Sequence, residues 1–206
     1  MSQYFEIHPT HPQQRLIHQA VEIIHRGGVI AYPTDSSYAL GCHIGDKKAL
    51  ERMRRIRKID DKHNMTLVCS DLSEISTYAK INNTDYRLLK SLTPGPYTFI
   101  LNATHEVPRR LMHPKRRTIG IRVVDHPVVK ALLEELGQPL MSCTLILPGK
   151  SMPMTEADEI RDVLEHQLDL VIDSGNCGIE PTTVIDLTGD VPTLVREGMG
   201  RDHGLD

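Results

Sequence analysis

The chain has 206 residues, 39% hydrophobic and 25% charged, with a formal net charge of −3 and a pI near 6.4. That size and balance suit one domain with a buried core, and they exclude a disordered tail or a globally basic nucleic-acid binder. Tryptophan is absent and aromatic residues make up 4%, so aliphatic side chains must build the core.

In chain order, Pro12 can open a helix, because its missing N–H is not needed in the first turn. Leu16, Ile17, Ala20, Val21, Ile23 and Ile24 then repeat with helical period, and Gly27-Gly28 ends the run. Residues 29–32 read as a buried strand stopped by Pro33, followed by the polar turn Thr34-Asp35-Ser36-Ser37. Asp46 is placed to cap a second helix, with Leu50, Met53 and Ile56 inward and the arginines outward. Residues 65–69 read as a strand. Asp71 and Glu74 have capping-box spacing for a short helix, and 84–91 read as another. Leu92-Thr93-Pro94-Gly95-Pro96 forces a turn before a strand at 97–101, and 119–124 is a further strand. Pro127 starts a helix carrying Val128, Val129, Leu132, Leu133 and Leu136, which Gly137 ends. A strand at 140–143, an acidic helix capped by Thr155 with Asp158, and short strands at 168–172, 182–187 and 193–195 complete the series.

Strands and helices alternate without a linker or internal repeat. The pattern predicts α/β architecture: a single domain over 1–206, with a central twisted sheet flanked by helices. The close spacing of the last strands predicts some antiparallel pairing, hence a mixed sheet.

Cys42, Cys69, Cys143 and Cys177 form no Cys-x-x-Cys pair, and the eleven histidines are scattered, so no metal site is predicted. No run approaches the roughly 18 apolar residues of a membrane span, and no basic-then-apolar leader opens the chain. A soluble cytoplasmic protein with no membrane partner is expected.

The net charge hides strong segregation. Residues 47–63 hold Lys47, Lys48, Arg52, Arg54, Arg55, Arg57, Lys58 and Lys62 against Glu51, Asp60 and Asp61, a balance of +5. Residues 109–117 hold Arg109, Arg110, Lys115, Arg116 and Arg117 with no acid, again +5. Two such blocks on an otherwise acidic chain point to a polyanion-binding face, because crowding like charges costs stability. A solvated helix face plus a mobile basic loop is the plainer alternative.

Neither a Gly-x-x-x-x-Gly-Lys phosphate loop nor a Gly-x-Gly-x-x-Gly turn is present, nor a Gly-x-Ser-x-Gly elbow. The chain offers instead hydroxyls at strand ends: Thr34, Ser36 and Ser37; Ser142 and Thr144; Ser174; Thr182 and Thr183. Such groups suit phosphate and carboxylate oxygens where loops of an α/β sheet converge, and they equally suit ordinary turns. No acid–base pair or nucleophile–base arrangement stands out.

Five ordered segments carry a resemblance. Tyr32-Pro33-Thr34-Asp35-Ser36-Ser37-Tyr38-Ala39-Leu40-Gly41 resembles the first signature of the YrdC-like family. Pro94-Gly95-Pro96-Tyr97-Thr98, the run from Ile119 through Arg122 to Asp125-His126-Pro127, Pro181-Thr182-Thr183-Val184-Ile185-Asp186 and Arg196-Glu197-Gly198 are similar to its later motifs. Within the family the chain most resembles the YciO branch of short, single-domain members.

The resemblance implies a YrdC-like fold with a large basic cavity and an association with double-stranded RNA. It also implies kinship with enzymes that join L-threonine, bicarbonate and ATP into L-threonylcarbamoyl-adenylate for tRNA modification, with Mg2+ accompanying the ATP. Carried onto this sequence, it implies Arg57 and Lys58 as catalytic residues. Thr34, Tyr38, Ser142, Thr144, Ser174, Thr182, Thr183 and Arg196 would bind nucleotide or substrate. Arg54, Arg55, Arg109, Arg110, Lys115, Arg116 and Arg117 would contact RNA.

Two departures stand beside these matches. Where the family's synthases place Lys-x-Arg, this chain reads Arg57-Lys58-Ile59, unless another register recruits Arg55, Lys58 or Lys62. Where they place Ser-x-Asn, it reads Thr144-Leu145-Ile146. Each charged bond lost this way is worth about 1.5–3 kcal/mol. The expected protein is therefore a nucleotide- and RNA-binding paralogue with weak or altered activity on ATP, AMP or an acyl-adenylate. A working synthase and a non-enzymatic module for structured RNA are the alternatives.

Overall fold

The computed structural model describes residues 1–63 and 65–205. Strand β1 (Gln3–Glu6) leads to helix α1 (Gln14–His25), then β2 (Ile30–Tyr32), β3 (Ala39–His43) and α2 (Lys47–Arg57). β4 (Thr66–Val68), α3 (Leu72–Tyr78), α4 (Asn83–Leu92), β5 (Tyr97–Asn102) and β6 (Thr118–Arg122) follow. A 3-10 turn at Arg109–Leu111 lies between β5 and β6. The chain continues through α5 (Pro127–Leu136), β7 (Leu140–Thr144), α6 (Ala157–Leu164), β8 (Leu170–Asp173), β9 (Thr183–Asp186) and β10 (Thr193–Arg196).

The helix ends follow local chemistry. Asp46 accepts from Ala49 N at 2.9 Å, and Asp71 accepts from Glu74 N at 2.9 Å. The Glu74 carboxylate reaches back to Ser70 N, so the full capping box is instead at α4, between Asn82 and Asp85. Gly137 ends α5 at φ 70°, a left-handed conformation that glycine adopts without penalty. Two expectations are corrected. Thr155 does not cap α6: the helix begins after Glu156 with no side-chain cap. β1 and β3 were not anticipated; β3 lies between the turn read at 34–37 and the cap read at Asp46.

All ten strands form one sheet in the order β1-β8-β2-β3-β7-β4-β6-β5-β9-β10. β8 runs parallel to β1 and β2, β4 parallel to β6, and β5 parallel to β9; the remaining pairs are antiparallel, including β9 with β10. The sheet is therefore mixed, as expected.

Alternation along the strands divides the core in two. Ala31, Leu40, Cys42, Leu67, Met141, Cys143, Phe99, Ile121 and Ile185 face α2, α3, α4 and α6. Ile30, Tyr32, Ala39, Val68, Leu140, Leu170 and Ile172 face α1 and α5. Each of these large side chains contributes about 1.5–3 kcal/mol on burial. The second cluster ends at β4. Beyond it, on β5, residues 97, 99 and 101 are buried while 98, 100 and 102 are half-buried, and on β9 Val184 and Asp186 are half-buried too. The α1/α5 side of the sheet is thus helix-covered on one half and bare on the other.

Candidate functional site

The bare half-face is lined with hydroxyls. Register places Ser142 beside Thr66 and Thr66 beside Gly120. A Cβ on Gly120 would sit 3.2 Å from Thr66 Oγ1 and 3.4 Å from Thr98 Cγ2, so the absent side chain keeps this lane open. Thr98 Oγ1 pairs with Thr182 Oγ1 at 2.8 Å. At the helix-covered end, Ser142 donates to Leu40 O at 2.9 Å, which leaves its oxygen to accept from Tyr32 at 2.5 Å. Burial pushes the Tyr32 phenol well up, so it stays protonated and donating.

The loop 33–37 runs from the end of β2 to β6, where the bare half begins. β2 and β6 lie four strand spacings apart, roughly 19 Å in a flat sheet. Asp35, just after β2, nevertheless pairs with Arg122 of β6 at 2.5 Å, and its second oxygen accepts from Asp125 N at 2.9 Å. The loop acts as a strap that bridges that gap, with the Arg122 side chain reaching to meet it. Both partners are about 90% buried, and Arg122 Nε, also buried, has no protein partner among the described residues.

The strap carries its own framework. Thr34 Oγ1 donates to Ser37 O at 2.6 Å and accepts from Ser36 N and Ser37 N, both at 3.1 Å. Its hydrogen-bonding capacity is filled, so Thr34 shapes the strap. Tyr38 donates to Gly175 O at 2.9 Å, and Gly178 N donates to Ser36 O at 3.1 Å, which ties the 174–178 loop to the strap. Ser174 Oγ, on that loop, is buried without a partner among the described residues.

The cations expected to be catalytic diverge. Arg57 Nε donates to Ile146 O at 2.9 Å, joining the end of α2 to the segment after β7. Arg57 therefore sits near Cys143, whose thiol burial pushes up against the pull of the guanidinium, whereas Thr144 pairs with Ala39 at the end of β7. Lys58 is the exposed left-handed residue, φ 50°, that ends α2. Ile59 packs on the core. The adjacent threonines of β9 also split. Arg196 Nε and Nη2 hold Thr182 O at 3.0 and 2.7 Å, on the bare side. Thr183 faces the opposite core, where it donates to Gly200 O and accepts from Gly198 N. The structure thus gathers Thr182, Arg196, Ser142 and the strap on one side of the sheet and turns Thr183 away.

The two basic blocks meet. Arg54 donates to Arg110 O at 3.1 Å, and Arg110 donates to Gly45 O at 2.7 Å. Arg55, Arg109, Lys115, Arg116 and Arg117 are exposed around this junction or on the loop that follows it. Asp35, Arg122, Thr66 and Thr98 are site residues that sequence reasoning did not single out. A lone arginine inside the apolar run 119–124 was the available signal.

The mixed sheet, with one half-face bare, lined by hydroxyls and edged by cations, defines the class of the fold as a strapped α/β sheet. The Sua5/YciO/YrdC family model, described as telomere recombination, matches residues 22–198, and the chain belongs to that family. It is 60% identical over 200 residues to the uncharacterized protein YciO of Escherichia coli K12, covering 97% of each chain. The crystal structure of that E. coli YciO superposes with a TM-score of 0.94 over 97% of both chains. Identity is 29% over 159 residues to a threonylcarbamoyl-AMP synthase of Vibrio vulnificus, 76% of this chain and 84% of that one. The structure of P. abyssi Sua5 complexed with L-threonine matches at 25% identity and TM-score 0.87, over 95% of this chain and 57% of that longer one.

Proposed function

We propose that this protein binds a nucleotide or acyl-adenylate on the bare, strapped sheet face and structured, double-stranded RNA on its joined basic blocks. Its chemistry on ATP or an adenylate is weak or altered relative to threonylcarbamoyl-AMP synthases. The carrying observation is the bond from Arg57 Nε to Ile146 O. It turns the cation at the end of α2 toward a backbone carbonyl, while positions 59 and 146 present hydrocarbon. Adenylate formation is mostly positioning and charge neutralisation, so those two positions bear directly on rate.

The remaining residues retain a binding function. Thr182, oriented by Arg196, offers a hydroxyl on the bare face. The Arg122 guanidinium, neutralised and fixed by Asp35, keeps a buried Nε–H without a protein partner among the described residues, a donor at the floor. L-Threonine and bicarbonate enter this reading from the synthase and Sua5 relatives. Magnesium would come with the triphosphate, held by phosphate oxygens and water. The Asp35 carboxylate is already engaged, and no group of three or more metal-binding side chains is found among the described residues.

The meeting of Arg54 with Arg110 favours a second reading, in which RNA binding is the whole function. One experiment separates the two. Purified protein is given ATP, L-threonine, bicarbonate and magnesium, and separately preformed threonylcarbamoyl-adenylate, with products read by mass spectrometry. Binding or breakdown of the supplied adenylate without synthesis is expected. Synthesis at ordinary turnover would restore the full synthase reading, and no interaction with either would leave RNA alone.

A further inference from the structure

A cavity of about 970 Å³ opens beyond the end of β5, walled by the C-terminal turn of α3, Asn102 and the 103–117 loop. Lys80, Arg109, Arg116 and Arg117 line it, and no carboxylate does. None of those four cations is in an ion pair among the described residues. The nearby Glu106 is paired instead with His105 at 3.0 Å. Four unneutralised cations around one concavity repel each other, a cost that a bound anion reverses.

The walls are firmly framed. Ala103 N donates to Arg117 O at 3.1 Å, His113 N to Thr118 O at 2.9 Å, and Thr104 Oγ1 to Thr77 O at 2.7 Å. The His113 ring accepts from the N–H groups of Lys115 and Arg116, at 3.3 and 3.2 Å, and so holds the turn that carries the cations. Arg117 is left-handed at φ 54°, an uncommon geometry for a side-chain-bearing residue. Asn102 adds neutral hydrogen-bonding capacity. The volume exceeds that of a single phosphate and lies within the usual range for small-molecule pockets, about 300–1,000 Å³.

From the charge, the frame and the volume together we infer that this cavity is a second anion site, which takes a compact ligand with several clustered phosphates, of the nucleoside polyphosphate class. It shares Asn102, at the end of β5, with the bare side of the sheet but none of the four cations, and the inference does not depend on the function proposed for that face. A tight bend of an RNA backbone presents the same clustered phosphates and is the competing source.

Lys115 provides the internal control, because it belongs to the same basic block but does not line the cavity. Inorganic tripolyphosphate is titrated calorimetrically against wild type, Arg116→Glu, Lys115→Glu and Arg196→Ala at fixed ionic strength, with thermal melting to verify folding. Arg116→Glu is expected to weaken binding by at least about tenfold, the scale of one charge-assisted contact, and Lys115→Glu by less than about twofold. Equal weakening by Arg116→Glu and Lys115→Glu would mean a diffuse field and no built site. Loss confined to Arg196→Ala would move the anion to the strapped face. A parallel titration with a short RNA duplex decides the source: Arg116→Glu affecting the duplex but not tripolyphosphate would overturn the small-anion assignment.

Discussion

Asp35 and Arg122 are joined by a 2.5 Å ion pair across four strand spacings of the sheet, and the strap over the candidate site hangs on that contact. Removing only the acid leaves a buried guanidinium uncompensated. Asp35→Ala should therefore destabilise the fold by about 3–5 kcal/mol. The double variant Asp35→Asn/Arg122→Met should recover part of that loss. Urea midpoints at unchanged slope provide the measurement, and a single-variant cost below about 1 kcal/mol would show that the strap is held elsewhere.

His126 caps α5 by accepting from Val128 N through Nδ1, an interaction that needs the ring nitrogen unprotonated. Burial lowers its pKa, against the pull of Asp35 and Asp125. Because the folded value lies below the unfolded one, the unfolded chain takes up the proton first as pH falls. This residue's contribution to stability is thus complete above about pH 6.5, the unfolded value, and declines as pH falls toward the folded value. His126→Asn keeps a capping oxygen and should flatten that decline, read from melting temperatures across the range. His18, whose pKa its contacts with Glu135 and Glu22 raise, acts with the opposite sign and should be retained in both proteins.

The thiols should report the fold directly. Cys42, Cys69 and Cys143 are buried, and Cys177 is half-buried with its pKa pushed up to about 11, chiefly by burial. A shift from 9 to about 11 removes about a hundredfold of the reactive thiolate at neutral pH. Ellman's reagent should label a single native thiol slowly and all four at once in denaturant. Rapid labelling of Cys177 would mean that the 174–178 loop opens readily.

RNA binding at the joined basic blocks should depend on shape and salt. A-form grooves expose backbone and 2′-hydroxyls more than base edges, so sequence preference should be slight. If about six phosphates are neutralised, the log–log salt slope should be near −5 to −6. Filter binding of duplexes of unrelated sequence tests both points, and a slope shallower than about −2 would remove the basic blocks from the interface.

Ile146 offers a gain-of-function test. Arg57 bonds its backbone oxygen, which any side chain leaves in place, so Ile146→Asn adds an amide without breaking that contact. Adenylate formation should rise in the mass-spectrometric assay, by up to the roughly fivefold that a neutral hydrogen bond of about 1 kcal/mol allows. No change in Ile146→Asn would place the deficit at Ile59.

Much of this was legible in the sequence where periodicity or punctuation was strong. The α5 pattern from Pro127 to Gly137 and the cap at Asp46 were read as they stand in the structure. β3 was not legible, because Gly41 sits in its middle and glycine reads as a break. Its structural reason is contact: a Cβ there would lie 2.7 Å from Leu140 and 2.8 Å from Tyr32. Thr182 and Thr183 were grouped, although period-2 alternation with Ile185 turns Thr183 toward the core. The Arg54–Arg110 and Asp35–Arg122 contacts join segments distant in the chain, and no local pattern encodes such meetings.

The strand order also imposes a timetable on synthesis. β1 and β2 both lie against β8, with residues 3 and 30 paired to residue 170, and β5 awaits β9 at residues 183–186. At about 5–20 residues per second, the N-terminal strands wait on the order of ten to thirty seconds before their partner leaves the ribosome. During that interval β2, every residue of which is buried in the finished fold, presents an open edge. The nascent chain should therefore engage cellular holdases until almost all of it has been made, and truncation before β8 should yield aggregates rather than a smaller folded unit.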